Sequence, residues 1–284
     1  MENNRALLIS MAGTRKTKHW PRTELTWAEF VEKLKTPVRS TESLDEYLNY
    51  AKVKQDELKD VGGFVGGTFA GDIRKAAYVE GRDLLTLDLD NIPTGKTEDI
   101  LKRVAGLGCN AVVYSTRKHC GYKPRLRVIV PLDTTASADE YEPAARKLAS
   151  LIGMEFCDPT TFDVARLMYW PSCCKDSEYI CEVYDCPFCS LQGLLQMYGD
   201  WTDISQWPQV PGTDAVERRR LAKQENPTEK KGVIGAFCRT YSITEAMEKF
   251  IPGMYDATDV EGRYTYTGGS TVGGAVVYDG DLFL

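Results

Sequence analysis

Asp83-Leu84-Leu85-Thr86-Leu87-Asp88-Leu89-Asp90-Asn91 reads as an apolar strand that ends in two acids. Strict alternation puts Leu85, Leu87 and Leu89 on one face and Thr86, Asp88 and Asp90 on the other. Residues two apart on a strand lie roughly 6.5–7 Å from each other, so the two carboxylates can share one or two divalent cations. Acids that close raise each other's pKa unless positive charge lies between them, and a bound metal is the common remedy. A bare Asp-x-Asp at a strand end is most often two solvated acids. The residues that follow decide between the readings.

Downstream, Ala111–Tyr114 is a second short buried strand, and its exit loop, Ser115-Thr116-Arg117-Lys118-His119, packs a hydroxyl, two cations and an imidazole together. A third strand, Arg125-Leu126-Arg127-Val128-Ile129-Val130-Pro131, points Arg125 and Arg127 one way and Leu126, Val128 and Val130 the other. Guanidinium pairs at period two suit a polyphosphate, whose oxygens they grip bidentately. Without the neighbouring motifs, an exposed strand face would be the simpler account of that pair. Cys157-Asp158-Pro159-Thr160-Thr161-Phe162-Asp163-Val164-Ala165-Arg166 then supplies further acids and an arginine. Together these are the parts of metal-assisted phosphoryl transfer.

Around this centre, Thr26-Trp27-Ala28-Glu29 is a capping box opening a helix that ends near Pro37. A second helix is expected from about Ser43 to Lys59, another over residues 97–106, and one from the box Ser137-Ala138-Asp139-Glu140 to Ile152. Strands alternating with helices imply an α/β or α+β core with a mixed sheet. Beyond Trp207 a polar linker carries Arg218-Arg219-Arg220. A small module follows, with Ser242-Ile243-Thr244-Glu245 capping a short helix and residues 264–284 reading as β. The last residues, Asp279–Leu284, read as a turn entering a barely begun strand, which implies a fragment of a longer protein.

The 284 residues are 43% hydrophobic, enough for one large domain plus an appendage. A formal charge of −6 excludes a global basic field, so any nucleic-acid contact rests on local patches. No apolar run approaches a membrane span and the N-terminus shows no signal-peptide pattern, so a cytoplasmic protein is expected. Nine cysteines fit that compartment if reduced or metal-bound.

In order and spacing these residues resemble the archaeo-eukaryotic primase–polymerase superfamily. The nearest likeness is to phage and prophage primase domains that precede a hexameric helicase or a virulence-associated E-type module. Asp88 and Asp90 match its first motif, and Ser115 to His119 its small-residue-then-His motif. Asp158 best matches its third, with Asp163 competing. The phrases Tyr114–His119, Pro124–Val128 and Arg166–Ser172 carry the closer likeness. The resemblance implies an α+β primase–polymerase catalytic core over residues 1–205, its mixed sheet flanked by helices. A linker over 206–232 and a small C-terminal α/β appendage over 233–284, cut before a helicase domain, would follow. It also implies template-directed nucleotidyl transfer on single-stranded DNA, with NTP or dNTP. Asp88, Asp90 and Asp158 would hold Mg2+ or Mn2+. Ser115, Arg117, Lys118, His119, Arg125 and Arg127 would bind the triphosphate, and Arg166 would reach the nucleotide or brace Asp158. His119 as general acid to pyrophosphate is the lesser role beside phosphate binding.

Cys173, Cys174, Cys181, Cys186 and Cys189 include a Cys-x-x-Cys that suits structural zinc, although small buried thiols explain them more simply. Gly95-Lys96-Thr97 imitates the tail of a phosphate loop whose leading glycine is missing. Arg15–Trp20 could support a template strand or be a solvated face. Two other functions remain open on sequence: a metal-dependent glycosyltransferase, and a non-catalytic replication-initiator module that binds DNA.

Overall fold

A computed structural model describes residues 5–213, 227–229, 232–269 and 271–277. The run Arg218-Arg219-Arg220 and the expected turn at Asp279–Leu284 lie outside them. The chain divides into two units, Met1–Met197 and Tyr198–Leu284, and the sequence reading set its boundary at 205/206.

Seventeen of the first unit's elements position the site or its support. They begin with β1 (Leu7–Ala12), β2 (Arg22–Leu25), α1 (Trp27–Lys35) and β3 (Val38–Arg39). The helices α2 (Leu44–Asn49) and α3 (Lys52–Lys59) follow, then β4 (Gly63–Val65), β5 (Gly67–Phe69) and β6 (Val79–Leu89). Next come α4 (Thr97–Ala105), β7 (Ala111–Ser115), β8 (Leu126–Ala136) and α5 (Ala138–Ile152). The strands β9 (Met168–Tyr169) and β10 (Ser172–Cys173) precede β11 (Cys181–Tyr184) and α6 (Leu191–Leu195). Helices α1, α2 and α5 each open on a complete capping box, at Thr26, Ser43 and Ser137. The single helix expected over 43–59 is broken at Tyr50 and Ala51, whose extended backbone separates α2 from α3.

The principal sheet runs β11-β7-β8-β6-β5, and every pairing in it is antiparallel. Among the described residues parallel pairing is confined to β3–β10 and to single bridges at Leu132–Cys189 and Asp203–Val272. The architecture is α+β, as expected, with its mixture of strand directions at the margins rather than inside the main sheet. A second sheet, β2-β1-β4-β9, packs against the first. Leu84, Val112, Tyr114 and Ile129 of the first sheet join Leu7, Ile9, Phe64 and Met168 of the second, with Trp27, Phe30 and Leu34 of α1, in one apolar core. Helix α5 packs on β6. Strand β6 is therefore buried from Gly81 to Leu89, on both faces. Its polar residues carry structural as well as chemical duties.

The second unit holds α7 (Gly232–Thr240), α8 (Ile243–Phe250) and an antiparallel sheet of β12 (Tyr255–Ala257), β13 (Arg263–Tyr266) and β14 (Ala275–Val276). Ser242 caps α8 with the expected box. No helix among the described residues is long and apolar enough to cross a membrane.

Candidate active site

Alternation along β6 and β8, fixed by their pairing, sets Asp88 opposite Arg127 and Leu89 opposite Leu126. The Arg127 guanidinium donates from Nε to Asp88 Oδ1 at 3.3 Å and from Nη1 to the Tyr169 carbonyl at 3.0 Å. One step outward, Arg125 Nη1 donates to Asp90 Oδ2 at 2.6 Å. The arginine pair and the acid pair read from the sequence thus face each other, one arginine to each acid.

The third acid arrives by a different route. Strand β5 leaves β6 after residue 82, so the far edge of β6 lacks a strand partner. The segment 156–161 supplies one. Leu89 bridges Cys157, Asp158 N–H donates to the Asp88 carbonyl at 2.9 Å, and Asn91 N–H to the Phe156 carbonyl at 3.1 Å. Buried Thr161 completes the seam, its Oγ1 accepting from Asp88 N–H at 2.8 Å. Asp158 is thereby brought beside Asp88 and is held at 2.8 Å by Arg166 Nη2, which also lies 3.8 Å from Asp88 Oδ2. Asp163 accepts from Ala165 N–H at 2.7 Å and shapes the turn that presents Arg166.

A cavity of about 170 Å3 opens over this group, lined by Asp88, Asp90, Ser115, Arg117, Lys118, Arg125 and Arg127 from the expected set. Its remaining charged lining, Lys52 and Lys59, comes from α3 and was not anticipated. Lys59 is the more telling omission. Burial and the neighbouring Arg127 push its pKa from 10.5 down to about 8, and its Nζ lies 4.6 Å from the Tyr169 ring centre. Nothing in a Lys-rich helix distinguishes the one lysine that turns inward. Burial, then Lys52 and Arg125, likewise lower the pKa of Lys118.

Three of the expected residues are buried and already bonded within the protein. His119 is 3% exposed and does not line the cavity; its Nδ1 accepts the Arg125 N–H at 3.1 Å. Burial lowers its pKa, and through Nδ1 it helps to set the backbone of Arg125. Arg117 is 4% exposed, paired with Glu42, bonded to Ser40 at 2.6 Å and set over the Tyr47 ring at 4.6 Å. That buried pair ties the loop to the segment before α2. Ser115 Oγ accepts from Ile180 N–H at 3.0 Å, which leaves its own proton free to donate.

Burial raises the Asp90 pKa, and Asp88 and Asp158 add to it, while Arg125 and Arg127 oppose the rise. The two neighbouring carboxylates at the end of β6 offer all-oxygen donors of the kind a hard divalent cation takes. Among the described residues no group of three His, Cys, Asp or Glu side chains is placed to hold a metal ion. The fit is therefore to a cation held by Asp88 and Asp90 with water and substrate phosphate completing its shell, the usual habit of Mg2+. Asp158, the third acid of the expected set, is paired with Arg166 in this arrangement. The cysteines are scattered too. Cys173 and Cys174 are buried near Arg117, Cys181 meets Tyr179, and Cys189 shares a hydrogen bond with Cys109.

Among curated proteins none matches the chain. A solved structure similar to it is the AEP domain (PP-N190) of the cyanophage S-2L primase-polymerase (PrimPol). The likeness has 13% identity and a TM-score of 0.37, and it covers 67% of this chain and 88% of that one. Residues 1–210 match the family model of the VapE N-terminal domain, and the chain belongs to that family.

Proposed function

We propose that the first unit is a template-directed nucleotidyl transferase, a primase or primase–polymerase domain of phage or mobile-element type. The observation that carries this reading is the pairing of Asp88 and Asp90 at the end of one strand with a cavity walled by cations. In the reaction the 3′-hydroxyl oxygen of the acceptor bonds to the α-phosphorus of the incoming nucleotide. The bond from that phosphorus to its bridging oxygen breaks, pyrophosphate leaves, and the hydroxyl proton passes to water. Mg2+ or Mn2+ supplies charge neutralisation for attacking and leaving oxygens. Asp88 and Asp90 would hold it. Lys118, Arg125 and Lys59 would neutralise the triphosphate, and Ser115 would donate to one of its oxygens. Its partners would be a single-stranded DNA template and NTP or dNTP.

A second reading has its own support. Each of the three acids is already satisfied by an arginine, the arrangement of a structural lattice under a DNA-binding surface. Incorporation of labelled nucleotide on a defined template separates the two. Products whose sequence follows the template support the transferase. Retained DNA binding with no product, in any mixture of nucleotide and metal, selects the binding module.

A further inference from the structure

A second cavity of about 360 Å3 adjoins the one already described and shares Lys59, Asp88, Arg127 and Tyr169 with it. Arg15, Arg74 and Arg166 are added there, and Asp163 is its one further acid. Cations thus outnumber carboxylates five to two along its lining. Arg74 is anchored by Nη1 to the Ala165 carbonyl at 3.1 Å and lies 5.2 Å from the Trp20 ring centre. Its buried Nε–H finds no partner among the described residues. The Arg15 backbone N–H donates to Asp60 at 2.9 Å, while its guanidinium bonds to Tyr169 and keeps only long contacts to acids, 3.7 Å to Asp56 and 4.0 Å to Asp60.

Such a lining calls for an anion of some size, and its apolar parts show what kind. Tyr169 is its one aromatic residue, and that ring is already met by Lys59 at 4.6 Å and Arg127 at 6.0 Å. With its one ring already engaged by two cations and its other lining largely charged, the cavity suits a phosphate backbone better than a stacked base. A transfer between two phosphate-bearing reactants also needs two anion-binding clefts beside the acid that serves both. Asp88 holds that place.

We propose that this second cleft seats the phosphodiester backbone of the acceptor strand, leaving the first for the incoming triphosphate. The assignment rests on the transferase reading for which reactant goes where, yet it can be tested without turnover. With the full chain, a fluorescein-labelled primer–template is titrated by anisotropy in EDTA, and ATP binding is measured separately by calorimetry in Mg2+ without template. Arg15→Gln/Arg74→Gln weakens primer–template binding about tenfold, the loss of one to two charge-assisted phosphate contacts, and leaves ATP affinity unchanged. Lys118→Gln/Arg125→Gln does the reverse. Arg15→Lys/Arg74→Lys keeps both charges and recovers most of the affinity, which separates charge from folding. ATP fails to displace the bound duplex, as a free nucleotide does not compete for this cleft. Unchanged duplex affinity in the Gln pair, or ready displacement by ATP, overturns the assignment. A protein that binds duplex through Arg15 and Arg74 but binds no ATP upholds the cleft while sinking the transferase reading.

Discussion

Asp88 and Arg127 are each 7% exposed and face each other across two strands, so each is the other's main compensation for burial. Asp88→Asn leaves a buried guanidinium without its counter-charge and should cost about 3 kcal/mol in urea unfolding. Asp88→Asn/Arg127→Met should cost less than the two single changes added together, because the unpaired charge is gone. Lys59 titrates in the other direction. Its pKa falls from 10.5 to about 8 in the folded chain, so the unfolded chain binds that proton more tightly. Stability from this residue therefore rises with pH between about 8 and 10.5, and the full penalty is present below about 8. Lys59→Met should raise stability at pH 7 by about 1–3 kcal/mol, with the gain fading as pH approaches 10.5. Binding of a triphosphate should draw a proton onto Lys59 at pH 8, visible by calorimetry as heats that scale with buffer ionisation enthalpy. The acid pair and the arginine pair were readable because strand alternation alone decides which side chains share a face. His119 and Arg117 were not. A loop's composition lists its side chains without saying which turn inward, and Glu42, the partner that claims Arg117, lies far back in the chain.

At the scale of elements, the seam between β6 and residues 156–161 places Asp158. Thr161 is its fixed point, accepting from Asp88 N–H and donating to the Thr86 carbonyl at 3.3 Å. Arg82, fully buried, steadies both sides by donating to the Val164 carbonyl and to Tyr141 OH, the latter at 3.1 Å. Thr161→Val strands the Asp88 N–H and should cost about 1–2 kcal/mol, whereas Thr161→Ser should restore most of it. If the seam serves Asp158 and Arg166 as well as the fold, nucleotide incorporation should drop in Thr161→Val by more than temperature-matched unfolding explains. Helix starts were plain in the sequence, since each capping box is a local pattern that brings its own hydrogen bonds. The break between α2 and α3 was not, for nothing in Tyr50-Ala51 forbids a helix. The seam was unreadable for a related reason: an edge left open by a short β5 is a fact of tertiary pairing.

Over the whole molecule, a formal charge of −6 offers no general basic field, and among the described residues the two cationic clefts are the proposed places for nucleic-acid contact. Oligonucleotide affinity should accordingly fall with a log–log salt slope of only about −2 to −3, as expected for some three phosphates neutralised, rather than the steeper slope of a basic protein. A slope twice that would point to a wider surface. The order of strands and helices narrowed the class to α/β or α+β, and the resemblance pointed to α+β, while the antiparallel course of the main sheet depended on pairings that no local pattern records. The central claim is that Asp88 and Asp90 serve nucleotidyl transfer, and it is met most directly by incorporation of labelled nucleotide on single-stranded DNA. Reactions are run with and without primer, in Mg2+ or Mn2+, for the wild-type chain and for Asp88→Ala/Asp90→Ala. The account predicts template-dependent products from the wild type and none from the double variant, even where circular dichroism shows both folded. Products of equal yield from the two proteins, or none from the wild type in any mixture, would contradict it.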